Sequence, residues 1–231
     1  MALKPFTKYI VFCLAGLFST PVFAAPVLID LTNPTPWLGA NGNTTFSTVL
    51  GDLTVTLSAH GNNAPKMTFN NSASEISGCV NGHSGSPAHN LACGGDGIGI
   101  GTGDDEITQG GIEQLYVGFS RPVNLDNVEL LDLFNNNTEI EKALISLDNG
   151  ATYQTFMSNN NLGGYYSTNL GGAAVSRIIF KAYNDAVSDY AVARLSIYMA
   201  DVPEPGAMLL LGFGLVGLYG GRRVRRPQRA A

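Results

Sequence analysis

Carboxylates crowd one glycine-rich stretch of this 231-residue chain: Asp96, Asp104, Asp105, Glu106 and Glu113. Glycines let the backbone turn tightly and offer carbonyl oxygens, and a hard cation such as Ca²⁺ takes about six to eight oxygens of this kind. Asp104, Asp105 and Glu106 are therefore candidate calcium ligands, although their spacing matches neither an EF-hand loop nor a nonapeptide calcium repeat. The competing reading is a solvated acidic loop that keeps a sheet edge from pairing with other chains. His83 and His89 fall in the same stretch, but without the paired Cys and His spacings of defined zinc sites they read as polar surface. His60 stands alone and suggests no role.

Between residues 25 and 201 motifs for covalent or phosphoryl chemistry are absent: there is no G-x-S-x-G, no P-loop, no H-E-x-x-H and no G-x-G-x-x-G. Paired carboxylates are the chemistry of glycosidases, but their separation cannot be read from spacing alone. Cys79 and Cys93 lie in a segment rich in Gly, Ser and Asn. An even pair in an oxidising compartment forms a disulfide, worth about 3 kcal/mol for a loop of about fifteen residues. Aromatic residues offer another chemistry, the stacking of sugar rings. Trp37, Tyr153, Phe156, Tyr165, Tyr166, Tyr183, Tyr190 and Tyr198 are the candidates, each of which can equally be a sheet or core residue.

The elements that must position these groups read as strands. Apolar and β-branched residues alternate with period two and are separated by Gly, Asn, Asp and Pro clusters. Candidate strands cover 27–31, 45–50, 53–59, 66–70, 112–119, 128–133, 143–147, 153–157, 175–182 and 191–199. In 112–119, Leu115, Val117 and Phe119 share a face; in 191–199, Ala193, Leu195, Ile197 and Met199 do, with Arg194, Ser196 and Tyr198 on the other. Asn149-Gly150 between two alternating runs predicts a hairpin tip, where positive φ is needed. No stretch of the body has a capped 3.6-residue period, so the fold class expected is all-β, a single jelly-roll-like sandwich. The segment 77–111 interrupts this regularity with many glycines and few apolar side chains; loops of such length are functional or disordered, and the cysteine pair argues against disorder.

Both ends carry addresses. Lys4 and Lys8, an apolar run and Val22-Phe23-Ala24 form a secretory signal peptide over residues 1–24, cleaved after Ala24. At the far end Val202-Pro203-Glu204-Pro205 precedes the apolar run 206–221, which is followed by Arg222, Arg223, Arg225 and Arg226. The prolines end regular structure, the apolar run is near the short limit for a membrane helix, and the arginines would stay cytoplasmic. These residues resemble the PEP-CTERM sorting signal of Gram-negative bacteria. The resemblance implies that Pro203, Glu204 and Pro205 are recognised by an exosortase, a membrane-embedded cysteine peptidase, while Arg222, Arg223, Arg225 and Arg226 stop the helix. Gly101-Thr-Gly-Asp-Asp-Glu-Ile107, followed by Gly111-Ile-Glu-Gln-Leu115, is similar to a β-sandwich type frequent among such proteins, which implies a fold and no reaction.

Removing both signals leaves a β body at 25–201, ahead of the sorting segment 202–226. Between residues 25 and 205 there are six Lys or Arg against eighteen Asp or Glu, a formal charge of −12. Such a body repels nucleic acid and anionic lipid and suits neutral glycans or divalent cations. The expectation is a non-catalytic, exported protein: an inner-membrane precursor, then a cell-surface or matrix protein associated with exopolysaccharide. A Ca-dependent carbohydrate-binding module and a polysaccharide hydrolase are the alternatives.

Overall fold

The computed structural model describes residues 25–72, 79, 90–101, 106–108, 112–135, 138–158, 164–199 and 212. The chain divides into two compact units, Met1–Met199 and Ala200–Ala231. The signal peptide with Ala24, the Pro203-Glu204-Pro205 motif, Arg222, Arg223, Arg225 and Arg226, and both Asp104 and Asp105 lie outside the described residues. So does most of the expected membrane helix; among the described residues no helix is long and apolar enough to cross a membrane.

The first unit is built from antiparallel strands. In chain order these are β1 (Val27–Asp30), β2 (Thr45–Leu50), β3 (Leu53–His60), β4 (Met67–Thr68), β5 (Gly99–Ile100) and β6 (Gln114–Leu131), then β7 (Lys142–Ser146), β8 (Gln154–Met157), β9 (Tyr166–Ala182) and β10 (Ala191–Met199). Short helical turns at Pro34–Trp37 and Leu38–Ala40 follow β1, capped by the Asn33 side chain, which accepts from the Thr35 N–H. They bury Trp37.

Two strands organise everything else. β6 pairs with β9 along one edge, and along its other edge first with β3 and then with β10. The sheet therefore has two halves that share β6 and β9: β2, β3, β7 and β8 flank one half, β10 and β1 the other. Buried side chains from both halves, among them Leu57, Val117, Phe180, Leu195 and Ile29, belong to one cluster, so the halves enclose a common core. The inward face of β6 reads Leu115, Val117, Val123 and Leu125, then Val128 and Leu130. That change of parity needs an extra residue, and the register shifts between Leu125 and Asn127. Bulges of this kind re-aim a strand without exposing its apolar side.

Sequence and structure differ most in β6 and β9. The expected strands 112–119 and 128–133 are one strand, β6, running through Pro122; the ladder skips from Gly118 to Val123, so no sheet bond is asked of proline there. The expected strand 175–182 is the second half of β9: Gly171 and Gly172, at φ 72° and 71°, form an irregularity within it that keeps the strand running. The segment 77–111 also differs from expectation. In its described part Ile98, Ile100 and Ile107 are fully buried, and Ile98 bridges to Val192. Residues of this segment cover the outer face of β10, where Cys79, Cys93, Leu131, Ala191 and Ala193 form a second small cluster. The Cys79–Cys93 disulfide is present.

Candidate functional site

The outward faces of β3, β6 and β9 floor a groove of about 600 Å³. Strand alternation dictates its composition: because Leu53, Val55, Leu57 and Ala59 point into the core, Thr54, Thr56 and Ser58 must point out. On β6 the same logic presents Tyr116, Gly118 and Ser120, and β9 adds Ser176 and Arg177. The Ser47 and Thr56 hydroxyls share a hydrogen bond of 2.8 Å, and the Ser120 hydroxyl accepts from the Thr54 N–H at 3.0 Å. Hydroxyl groups both donate and accept, so this floor suits a ligand that is itself covered in hydroxyls.

One wall is the loop between β7 and β8, which contributes Leu147, Asp148 and Asn149. Asn149 and Gly150 adopt φ 61° and 89°, the left-handed conformations that the Asn-Gly pair supplies at least cost. Asp148 fixes the loop, accepting from the Ser146 hydroxyl at 2.7 Å, the Thr152 N–H at 2.9 Å and the Thr152 hydroxyl at 2.5 Å. Those donors, Thr152 foremost, hold its carboxyl down to about 2. It is the one carboxylate among the described residues lining the groove, and it remains an anion at neutral pH. A glycosidase needs two carboxyl groups about 5 to 9.5 Å apart, one of them able to donate a proton.

Tyr116 stands in this groove between two neighbours. His60 on the β3 side stacks on it with ring centroids 3.9 Å apart, and the Arg177 guanidinium on the β9 side lies 5.5 Å from its centroid. Arg177 also donates to the Asn149 side-chain oxygen at 2.9 Å, tying floor to wall. Sequence reasoning missed Tyr116, Arg177 and the hydroxyl floor. The signal was present, since the alternation that buries Leu115 and Val117 exposes the residues between them. The eight aromatics considered from sequence line no part of the groove. Trp37 and Tyr190 are core, Phe156 and Tyr166 pack against the core, and Tyr183 lies beneath the Lys142 ammonium at 4.6 Å.

Of the candidate calcium ligands, Glu106 lies within the described residues, and no group of three His, Cys, Asp or Glu among those residues could hold a metal ion. Glu113 is engaged locally, accepting from the Thr108 N–H at 3.0 Å and the Thr108 hydroxyl at 2.7 Å. Asp96 is buried.

A different acidic group forms where β7 begins. Burial pushes the Glu141 carboxyl up to about 8, opposed by the Phe134 N–H that donates to it and reinforced by Asp189, Asp185 and Glu139. A raised carboxyl favours the folded state fully below its unfolded value of 4.5 and loses that contribution as pH climbs through about 8. Glu141→Gln, neutral at every pH, is expected to match the parent at pH 4.5 and to exceed it at pH 9. The expected gain is on the order of 2 kcal/mol once partial exposure is discounted. Urea denaturation at pH 5, 7 and 9 measures it, and a constant difference across that range would refute the assignment.

At the far end of the chain, residues 201–226 match the family model described as the PEP-CTERM protein-sorting motif. The chain carries a PEP-CTERM sorting motif. The PEP-CTERM motif marks an exported protein sorted through an exosortase. No curated protein matches this PEP-CTERM chain. Several solved structures show a distant likeness. A truncated AlyQ with CBM32 and alginate lyase domains shares 10% identity and a TM-score of 0.31 over 42% of this chain, which spans only 26% of that one. The CpGH89 CBM32-6 module of Clostridium perfringens shares 12% identity at a TM-score of 0.28, over 59% of this chain and 94% of that one. CBM32-1 from a family 31 glycoside hydrolase of the same organism shares 17% at 0.27, over 60% of this chain and 96% of that one.

Proposed function

We propose that the chain is a non-catalytic surface or matrix protein that associates with extracellular polysaccharide. In this reading the signal peptide is cleaved after Ala24, the jelly-roll-like sandwich spans 25–201, and the segment 202–226 holds the precursor in the inner membrane. An exosortase-like peptidase acts at Pro203, Glu204 and Pro205, with Arg222, Arg223, Arg225 and Arg226 as the stop. The PEP-CTERM match at 201–226 carries the reading. The polar groove supports the polysaccharide association, and the single carboxylate among its described lining residues, committed to its own loop, speaks for binding without hydrolysis.

Mass spectrometry of the mature protein from its host tests the sorting step. The expected C-terminus lies close to Pro203–Pro205, and deletion of 203–226 is expected to change both the length and the cellular distribution of the product. An intact arginine tail on the mature protein would overturn processing, and a cytoplasmic body would overturn export.

A further inference from the structure

We infer that the groove over β3, β6 and β9 is a binding site for a neutral polysaccharide chain, gripped by hydroxyl groups and the Arg177 guanidinium and independent of calcium. The inference rests on the polysaccharide association proposed above and gives it a place and a ligand class.

Size comes first. The groove's volume of about 600 Å³ falls within the range of about 300 to 1,000 Å³ that small-molecule sites occupy, enough for a short run of sugar units. Its depth has a cause in sequence: Gly118 sits between Tyr116 and Ser120 on the floor, leaving an unfilled position over the strand. A Cβ placed on Gly118 would meet nothing closer than the Thr56 carbonyl oxygen at 3.7 Å. The gap is therefore not needed by the packing.

Chemistry comes second. The floor is Thr54, Thr56, Ser58, Ser120 and Ser176, uncharged groups that exchange donor and acceptor roles as a sugar's hydroxyls require. Arg177 is oriented by its bond to Asn149 and retains further N–H donors. Ring stacking is not the principal grip, because Tyr116 is already flanked by His60 and Arg177.

Charge decides the class. Asp148 on the wall is an anion at neutral pH, the nearby Arg121 is paired with Asp52, and the exported body carries −12 overall. Uronate or sulfated polymers meet repulsion from the whole body, whereas uncharged glycans do not. Every group that grips the ligand belongs to β3, β6, β9 or the β7–β8 loop, and none to the acidic segment 104–106.

Affinity electrophoresis of the full-length chain in detergent tests the site. The gels contain dextran, mannan, laminarin or xylan, with alginate as the anionic comparator. Retardation by at least one neutral polymer is expected, unchanged by EDTA, with alginate at least tenfold weaker. Gly118→Leu fills the gap and is expected to weaken binding at least tenfold without lowering the melting temperature. Arg177→Gln, on the exposed face, provides a second variant with the same expectation. Retention of binding by both variants, or a preference for alginate, would overturn the site while leaving polysaccharide association standing. Loss of binding on chelation would transfer the grip to calcium and overturn it too. A parent protein bound by none of these polymers, nor by polysaccharide extracted from its own host, would sink the association itself.

Discussion

Glu129→Ala is expected to lower the stability of the folded body by about 3 to 5 kcal/mol, the usual cost of leaving one member of a buried ion pair without its partner. Glu129 on β6 and Arg194 on β10 are direct cross-strand neighbours. The guanidinium donates twice to one carboxylate oxygen, at 2.9 and 2.6 Å, and once to the Asn90 carbonyl at 3.3 Å. Their side chains are only 8% and 10% exposed. The neighbouring half-buried Tyr165 has its hydroxyl pushed up to about 12, chiefly by burial and then by the Glu129 charge. Replacing both members together, Glu129→Leu with Arg194→Met, is expected to recover most of the loss, because the pair's attraction roughly balances the cost of its desolvation. Urea denaturation of the two single variants and the double one measures this. A cost below about 1 kcal/mol for Glu129→Ala would mean a solvated pair.

Cys79→Ser with Cys93→Ser is expected to cost about 3 kcal/mol, the chain-entropy value for a loop of this length. The bridge closes a span of 14 residues, and its buried cysteines lie on Leu131, Ala191 and Ala193. Without the bridge, the cover over the outer face of β10 loosens and the Glu129–Arg194 pair meets water. The two perturbations should therefore combine to less than their sum, since residues sharing one patch are not energetically independent. Melting with and without dithiothreitol checks the first expectation, and a double-mutant cycle with Glu129→Ala checks the second. Full additivity would show that the disulfide segment does not shield the pair.

Local alternation was legible wherever one face of a strand meets the core and the other meets water. It placed β2 at 45–50, β3 within a residue, β10 at 191–199 and the Asn149-Gly150 turn. It failed where a strand is irregular or doubly covered. It set no strand over 120–127 or 166–174, because a sequence does not reveal that the ladder shifts register just there. Arg194 was expected on a solvent face; it does face outward from the sheet, but the segment carrying the disulfide lies over it. The residues Ile98, Ile100 and Ile107 went unvalued because glycines surround them, yet three isolated isoleucines among glycines are what remains when a coil must dock on a sheet. The groove was concealed differently. Thr54, Thr56 and Ser58 carry no motif, and only the pairing of β3 with β6 brings them beside Tyr116 and Gly118.

The pairing of β1 with β10 joins the first strand of the body to its last. Between them the central β6 takes β9 on one edge and both β3 and β10 on the other. No N-terminal fragment can therefore complete a layer by itself, because its neighbours have yet to be synthesised. Closure across nearly the whole body is entropically costly and slow compared with local contacts. For a polypeptide threaded outward from its N-terminus, β1 meets its partner strand only when residues 191–199 arrive, a few positions ahead of the sorting tripeptide.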